Sequence, residues 1–419
     1  MRFSKLFSKT LKNAPADETA INAKLLIRGG FVFKEMAGVY SYLPLGLRVM
    51  KKIEDIIRKE MNGIEGIEMK TSVLQNKEIW EKSNRWSDEV VDNWFKTELK
   101  NGSKAGLSFT NEEAYSNILK QYVNSYKDLP MYPYDFKEIF RNEARSKSGI
   151  LRGREFYWKA MYSFSKNENE HIKFYEKATE AYKNIFNHVG IGDKTYLTYA
   201  SGGTFSKFSH EFQTLCDSGE DTVYISKRDY GKGLEMEKGH AAINKEIFTD
   251  DVKKDLGLEG DFVEKKAIEV GNIFTLGTRF SEPFDLTFTD EDGSKKLVFM
   301  GSYGIGLSRL MGTIVEVSHD DKGIIWPKSI APFKAHLISL GKNSEAEEIY
   351  NGLQSSGIEI LYDDREDKSA GEKFADADLI GCPWRLVVSG KMGADEIEIK
   401  KRTETKSQII KQSELAGML

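Results

Sequence analysis

Cysteine is close to absent from this chain: Cys216 and Cys382 are the only two in 419 residues, too few and too far apart in sequence for a disulfide framework or a zinc site. No stretch approaches the ~20 apolar residues that a membrane helix needs. An excess of positive charge is missing as well. Lys and Arg number 61 against 65 Asp and Glu, a net charge of -4, so overall charge does not hold this chain to nucleic acid. Any such contact must come from local basic patches and weaken with salt. The opening MRFSKLFSKT lacks the core of a signal peptide, because Lys5 and Lys9 interrupt its apolar residues. An amphipathic targeting segment stays open as the alternative to the cytosol, the simplest compartment. Proline is sparse, eight in all, and Pro327 and Pro332 fall close together.

With 40% hydrophobic residues, the chain can bury one large core and one small one. Its most informative stretch is Phe140 to Phe156, FRNEARSKSGILRGREF. Arg141 and Glu143 stand two apart, so on a β-strand both leave the same face. A basic loop from Ala144 to Arg152 then leads to Phe156. The pattern predicts strand, loop and second strand. It suits a guanidinium against a phosphate, a carboxylate against an exocyclic amine and an aromatic ring beneath a base; an ordinary solvated hairpin fits the same residues. A second stretch, Met300 to Leu310 (MGSYGIGLSRL), sets Gly301, Gly304 and Gly306 ahead of Arg309. That suits backbone approached closely by a ligand and entering a helix. Its spacing is neither a phosphate-binding P-loop nor a dinucleotide fingerprint.

Together the two stretches resemble motifs 2 and 3 of the class II aminoacyl-tRNA synthetases. Motif 2 is matched by Phe140, Arg141, Glu143, Arg152 and Phe156, and motif 3, in a looser form, by Gly304, Gly306 and Arg309. Thr110-Asn111-Glu112-Glu113, Ser209-His210-Glu211-Phe212-Gln213 and the segment from Phe374 to Gly381 are similar to the bacterial prolyl-tRNA synthetases within that class. The resemblance runs from about Thr19 to the C-terminus.

The resemblance implies an α+β fold: a catalytic domain on an antiparallel sheet flanked by helices at 1–328, then a small α/β anticodon-binding domain at 329–419. It implies ATP-dependent ligation of L-proline to tRNA(Pro), through prolyl-adenylate with release of pyrophosphate and then transfer to the 3'-terminal ribose. ATP and Mg2+ would be required, a homodimer would be the assembly, and no metal would be held by protein ligands alone. Arg141 and Arg309 would be catalytic. Arg141, Glu143, Arg152, Phe156, Gln213, Gly304, Gly306 and Arg309 would surround ATP. Thr110, Glu112, Arg141, Trp158, His210 and Ser302 would surround proline, and Arg365 and Lys373 would meet tRNA. Two departures from the family pattern are Asn111, where bacterial relatives commonly carry histidine, and Ala160, where an acidic residue is usual. Both bear on hydrogen bonding around the pocket.

Residues 227–267, where bacterial relatives carry a large insertion, span only about forty positions, too few for an editing domain of independent fold. The expectation is no intrinsic clearance of alanyl-tRNA, with a separate deacylase as a possible partner.

Helical spacing predicts helices from Thr19 to Gly30, within 37–61 with Pro44 in the first turn, and from Asn167 to Val189. The second puts Leu45, Val49, Ile53, Ile56 and Ile57 on one face and resembles motif 1, which builds the dimer interface of the class. Trp80, Trp86 and Trp94 read as cover for a core edge. Thr110 and Glu112, two apart at a strand end, suit one shared cation, with a helix cap at Thr110 as the competing reading. Trp158 and His210 each fit either a pocket wall or ordinary packing.

The Trp326-Pro327 and Ala331-Pro332 pairs read as a linker. Beyond them, a strand at 336–340, a helix opened by a capping box at Ser344 and Glu347 and ended by Gly357, a strand at 358–362, a helix at 370–380 and a strand at 386–388 predict an α/β domain of about ninety residues. The alternatives left open are a class II ligase for threonine, glycine or serine, a synthetase-like binding protein without aminoacylation, and an α+β protein with a chance Gly-rich turn.

Overall fold

Aromatic residues dominate the stretches Pro133–Phe140, Glu155–Ser165 and Phe299–Gly306, and side chains of that kind favour the pleated, half-buried surface of a sheet. In the computed structural model, which describes residues 1–144, 148–202, 207–237 and 240–419, these three strands are neighbours in a nine-stranded sheet. The order is Phe208–Leu215, Thr195–Ser201, Ala242–Asn244, Asp221–Ser226, Phe262–Gly277, Phe299–Gly306, Glu155–Ser165, Pro133–Phe140, Ile67–Glu68. Phe208–Leu215 also pairs with Phe262–Gly277, which closes that end of the sheet on itself. Pairing is antiparallel except for Ala242–Asn244 on Thr195–Ser201 and Ile67–Glu68 on Pro133–Phe140.

The stretch between residues 227 and 267, expected to be a short connector, therefore supplies the strand Ala242–Asn244 of this sheet. The basic loop read between 144 and 152 lies partly outside the described residues, at 145–147, and so does part of the stretch leading to His210, at 203–206.

Helix Glu168–His188 covers one face of this sheet. Asn167 caps its start by accepting from the Glu170 amide at 3.0 Å. Its buried Phe174, Ala178, Ala181, Tyr182 and Ile185 recur at three- and four-residue spacing, the pattern of a helix with one apolar face. Phe174 stacks on Tyr132 with ring centroids 3.6 Å apart. The tryptophans cover a core edge as expected: Trp80 and Trp94 approach to 4.1 Å beside a three-stranded sheet of Leu74–Asn76, Lys96–Glu98 and Lys104–Leu107. All of these elements lie in a compact unit of residues 36–39 and 54–313.

The other unit comprises residues 1–35, 40–53 and 314–419. Its five-stranded sheet runs Ile360–Asp363, Ala335–Leu340, Trp384–Ser389, Glu396–Lys401, Gln408–Lys411. Alternation divides its side chains. Leu337, Leu386 and Ile397 pack with Ala346 and Leu353 of helix Asn343–Ser355, whereas Ile338 and Val387 pack with Ala377 of helix Ala370–Ile380. The first residues extend this sheet's edge: the Tyr362 amide donates to the Met1 carbonyl at 2.9 Å, and Phe3 is buried against His336.

Two local expectations fail here. Ser344 and Glu347 make no capping box, because the helix already starts at Asn343 and Glu347 pairs with Arg2; the capping box in this unit is Ser369 with Glu372. The Pro327 to Pro332 stretch is not a solvated linker. Ile330 and Ala331 are fully buried, and Arg48 Nε donates to the Pro332 carbonyl at 2.9 Å. Among the described residues no helix is long and apolar enough to cross a membrane.

Gly381 closes helix Ala370–Ile380 in the left-handed region, φ 76°, and a Cβ there would meet the Ile324 carbonyl oxygen at 2.0 Å. Gly381→Ala should therefore cost at least ~1–2 kcal/mol and lower the thermal unfolding midpoint. An unchanged midpoint would mean that this turn relaxes freely.

Candidate active site

The face of the nine-stranded sheet opposite helix Glu168–His188 carries two adjoining cavities, of about 270 and 220 Å3. Arg141, Trp158 and Asn272 line both. The larger adds Glu143, Arg152, Phe156, Gly306 and Arg309 among its walls, together with Asp221 and Glu269. The smaller adds Arg85, Thr110, Glu112, Ala160, Ser302 and Gly304.

Arg141 and Glu143 reach the larger cavity by a different route from the one their spacing suggests. The strand ends at Phe140, where the Arg141 amide turns to the Arg154 carbonyl and the Asn142 amide to that of Asn93. A tight turn, with the Glu143 amide on the Arg141 carbonyl at 2.8 Å, then aims both side chains inward. Arg309 is fixed by the Leu151 carbonyl at 2.9 Å, the Glu269 carbonyl at 3.1 Å and the Glu269 carboxylate at 3.4 Å. Arg141 Nε, by contrast, has no hydrogen-bond partner among the described residues, and its guanidinium lies 5.5 Å from the Phe156 ring. Burial and the facing Arg309 hold Arg141 below the usual arginine range, and the nearby carboxylates of Glu269, Glu143 and Glu112 offset this only in part. Glu143 accepts from Arg152 at 2.9 Å, so its carboxylate is oriented at the cavity wall.

Glycine is required where Trp158 crosses the sheet. A Cβ on Gly304 would stand 2.3 Å from the Trp158 ring and 2.8 Å from Asn272 Oδ1, and one on Gly306 would stand 3.3 Å from that ring. Gly304, expected beside a nucleotide, lines the smaller cavity. There Thr110 and Glu112 converge on one cation, though not through the period of a strand, since the strand ends at Leu107 and Glu112 opens the helix Glu112–Leu119; that cation is Arg85, whose Nη2 bonds Thr110 Oγ1 at 3.1 Å and whose Nη1 bonds Glu112 at 3.3 Å. Thr110 caps nothing, since Asn111 holds the cap position of the following helix, with no side-chain bond. Asn111 Oδ1 instead accepts from the buried Lys137 ammonium at 3.0 Å, and burial pushes that lysine down to about 8.

Four expected site residues lie elsewhere. His210 is on the opposite face of the sheet, where its Nδ1 meets the Tyr175 hydroxyl at 2.7 Å, in a groove shared with Tyr199; burial lowers it to about 4. Its offset of three from Gln213 already puts the two on opposite faces of a regular strand. Lys373 is 3% exposed and donates to the Ser339 carbonyl, and Arg365 is locked between Asp363 and Asp376. Neither offers a free cationic head to RNA. Gln213 is buried one layer below the larger cavity and donates to Asp221 and Glu211, both at 2.8 Å.

Sequence reading missed Arg85, Glu211, Glu269 and Asn272. The parity of Glu211 with Gln213, and that of Trp158 with Phe156, were the available signals. Glu211 also accepts from Asn244 of the short inserted strand at 3.2 Å. Burial, with Glu269 as the nearest like charge, pushes Glu211 up to about 8.

Two family models match the chain: tRNA synthetase class II core domain (G, H, P, S and T) over residues 95–318, and anticodon binding domain over residues 330–419. The chain is 37% identical to a proline–tRNA ligase of Caulobacter vibrioides, across 96% of this chain and 95% of that protein. It is also 37% identical to one of Hyphomonas neptunium, across 100% and 99% respectively. Its fold matches the crystal structure of a prolyl-tRNA synthetase from Cryptosporidium parvum complexed with L-proline and AMP. The TM-score there is 0.74 at 15% identity, covering 95% of this chain and 73% of that one.

A raised carboxyl gives a pH signature. Folded Glu211 keeps a proton that the unfolded chain sheds near the ordinary glutamate value, so its contribution is complete at low pH and is lost as pH rises toward about 8. Glu211→Gln should gain about 1–3 kcal/mol on the wild type between pH 5 and 8, read from urea midpoints. A constant difference across that range would show the carboxyl ionised throughout.

Proposed function

The chain belongs to the class II tRNA synthetases and, among them, to the proline–tRNA ligases, and on that premise we propose that its two adjoining cavities hold the reactants of proline activation. The protein ligates L-proline to tRNA(Pro) in two steps. The observation that carries the assignment of the site is the sharing of Arg141, Trp158 and Asn272 by both cavities. A nucleotide in one and an amino acid in the other would place an α-phosphate and a carboxylate at the same guanidinium.

In the first step, a proline carboxylate oxygen attacks the α-phosphorus and the bond to the β-phosphate oxygen breaks, releasing pyrophosphate. The carboxylate is already ionised at neutral pH, so no general base is needed. Catalysis is alignment and charge stabilisation. Arg141 bridges carboxylate and α-phosphate. Arg309 meets the far end of a bent triphosphate and, with Phe156, stacks on the adenine, whose amine donates to Glu143. Thr110 and Glu112 take the ammonium, and Trp158 and Ser302 wall the pyrrolidine ring. In the second step the terminal ribose hydroxyl attacks the adenylate carbonyl and AMP leaves.

Among the described residues no three His, Cys, Asp or Glu side chains group to hold a metal. Mg2+ would arrive on the phosphates, with Glu269 and Asp221 of the larger cavity as single protein ligands. Bound there, the ion would neutralise phosphate charge.

A homodimer is part of the proposal. Ile67 on the sheet's edge strand and Ile172 beside the Tyr199 groove are exposed, 61% and 47%, and a two-fold partner would cover them. The short insertion leaves no room for an editing domain, so clearance of misacylated tRNA falls to a separate deacylase.

Pyrophosphate exchange across all twenty amino acids tests the reading. Proline should drive it, with alanine weaker by ~10–200-fold, the range a small loss of pocket contact supports; a preference for threonine, glycine or serine would overturn it. Arg141→Ala should slow proline-dependent exchange by about a thousandfold or more, each tenfold being ~1.4 kcal/mol of transition-state stabilisation. A variant within threefold of wild type would remove Arg141 from the mechanism. Alanyl-tRNA formed by the enzyme should persist, and rapid clearance by this chain alone would contradict the missing editing function.

A further inference from the structure

The ammonium end of the smaller cavity holds more charge than its expected roles use. Glu112 and Glu113 are consecutive, and both carboxylates turn toward Arg85. Glu113 is fully buried. Its Oε1 accepts from Ser83 at 2.7 Å and from Arg85 Nη1 at 2.9 Å, while Oε2 has no partner. Glu112 is nearly buried, and its Oε1 accepts from the Tyr162 hydroxyl at 3.2 Å.

Arg85 is held in place from both sides. Its guanidinium lies 4.8 Å from the Trp80 ring and 5.4 Å from that of Phe280, and its backbone amide bonds the Trp80 carbonyl at 3.0 Å. Burial pushes the Glu113 carboxyl up, and the Arg85 guanidinium on it opposes that shift.

We propose that Arg85 is a positioning residue of the proline pocket: anchored on the buried Glu113, its guanidinium holds the Thr110 hydroxyl and the Glu112 carboxylate where the substrate ammonium meets them. This rests on the assignment of the smaller cavity to proline. Arg85 occupies Thr110 Oγ1 and one oxygen of Glu112, but a carboxylate offers about four lone-pair sites, so an incoming ammonium can join without displacing the guanidinium. Arg141 at the other end takes the carboxylate of the zwitterion. Each end of the substrate thus meets one opposite charge. The fork of Arg85, on three acceptors at once, is a geometry that lysine does not reproduce.

The cycle of Arg85→Gln, Glu113→Gln and the double variant tests this by steady-state exchange kinetics with proline and ATP varied separately. Wild-type exchange that depends on proline establishes the underlying reading; its absence defeats that reading and leaves Arg85 out of the question. Given an active wild type, each single variant should raise the KM for proline by about tenfold or more, because Arg85→Gln releases Thr110 and Glu112 and Glu113→Gln weakens the anchor of Arg85. The KM for ATP should stay within about twofold. The double variant should have a proline KM no worse than that of Arg85→Gln alone, because without Arg85 the Glu113 anchor has nothing to hold. Glu113→Gln keeps the shape of the side chain and its acceptor for Ser83 and Arg85, and it carries the test alone if Arg85→Gln fails to fold. Single variants with an unchanged proline KM, or a folded double variant whose proline KM rises by the product of the two single effects, would overturn the proposal.

Discussion

Two guanidiniums facing one cavity are the constraint around which this site is built. Arg309 is tied by backbone and carboxylate oxygens, so it cannot retreat, and Arg141 enters the same space with an unsatisfied Nε. Like charges held together in a partly desolvated cavity raise the energy of the empty protein. A polyanion is the ligand that relieves it. What brings the pair together is sheet order, since Phe299–Gly306, Glu155–Ser165 and Pro133–Phe140 are consecutive neighbours. Arg309 follows the first of these by one short turn into a helix, and Arg141 follows the last directly.

The second constraint is the wedge of Trp158 over a sheet floor that lacks side chains. The indole lies where Gly304 and Gly306 would carry their Cβ atoms. It therefore separates a nucleotide-sized space from a smaller one while remaining part of both walls. The glycines that resemble a ligand-binding loop act first by making room for this ring, and the ligand benefits through it.

Much of the catalytic sheet was legible because its signals are local. Helix Glu168–His188 follows from its apolar spacing, and Phe156 and Trp158 share a parity and a cavity. The residues that escaped are those whose role depends on distant partners. Arg85 sits in a turn among tryptophans, and nothing nearby in sequence shows that its partners will be Glu112 and Glu113. Lys373 and Arg365 look like surface cations on a helix and a loop, yet backbone carbonyls and buried aspartates hold them. His210 was drawn toward the site by the residues around it, against the strand parity that sends it to the other face. The short segment after residue 227 reads as a connector, but the strand Ala242–Asn244 completes the sheet and delivers Asn244 to Glu211.

The central claim is that one ligand spans both cavities across Arg141. A crystal structure of the protein with a non-hydrolysable prolyl-adenylate mimic tests it most directly. The account predicts the adenine between Phe156 and Arg309, the linking group on Arg141, and the pyrrolidine ring against Trp158 with its nitrogen toward Thr110 and Glu112. A mimic bound with its adenine outside the larger cavity, or with Arg141 turned away from the linking group, would contradict it.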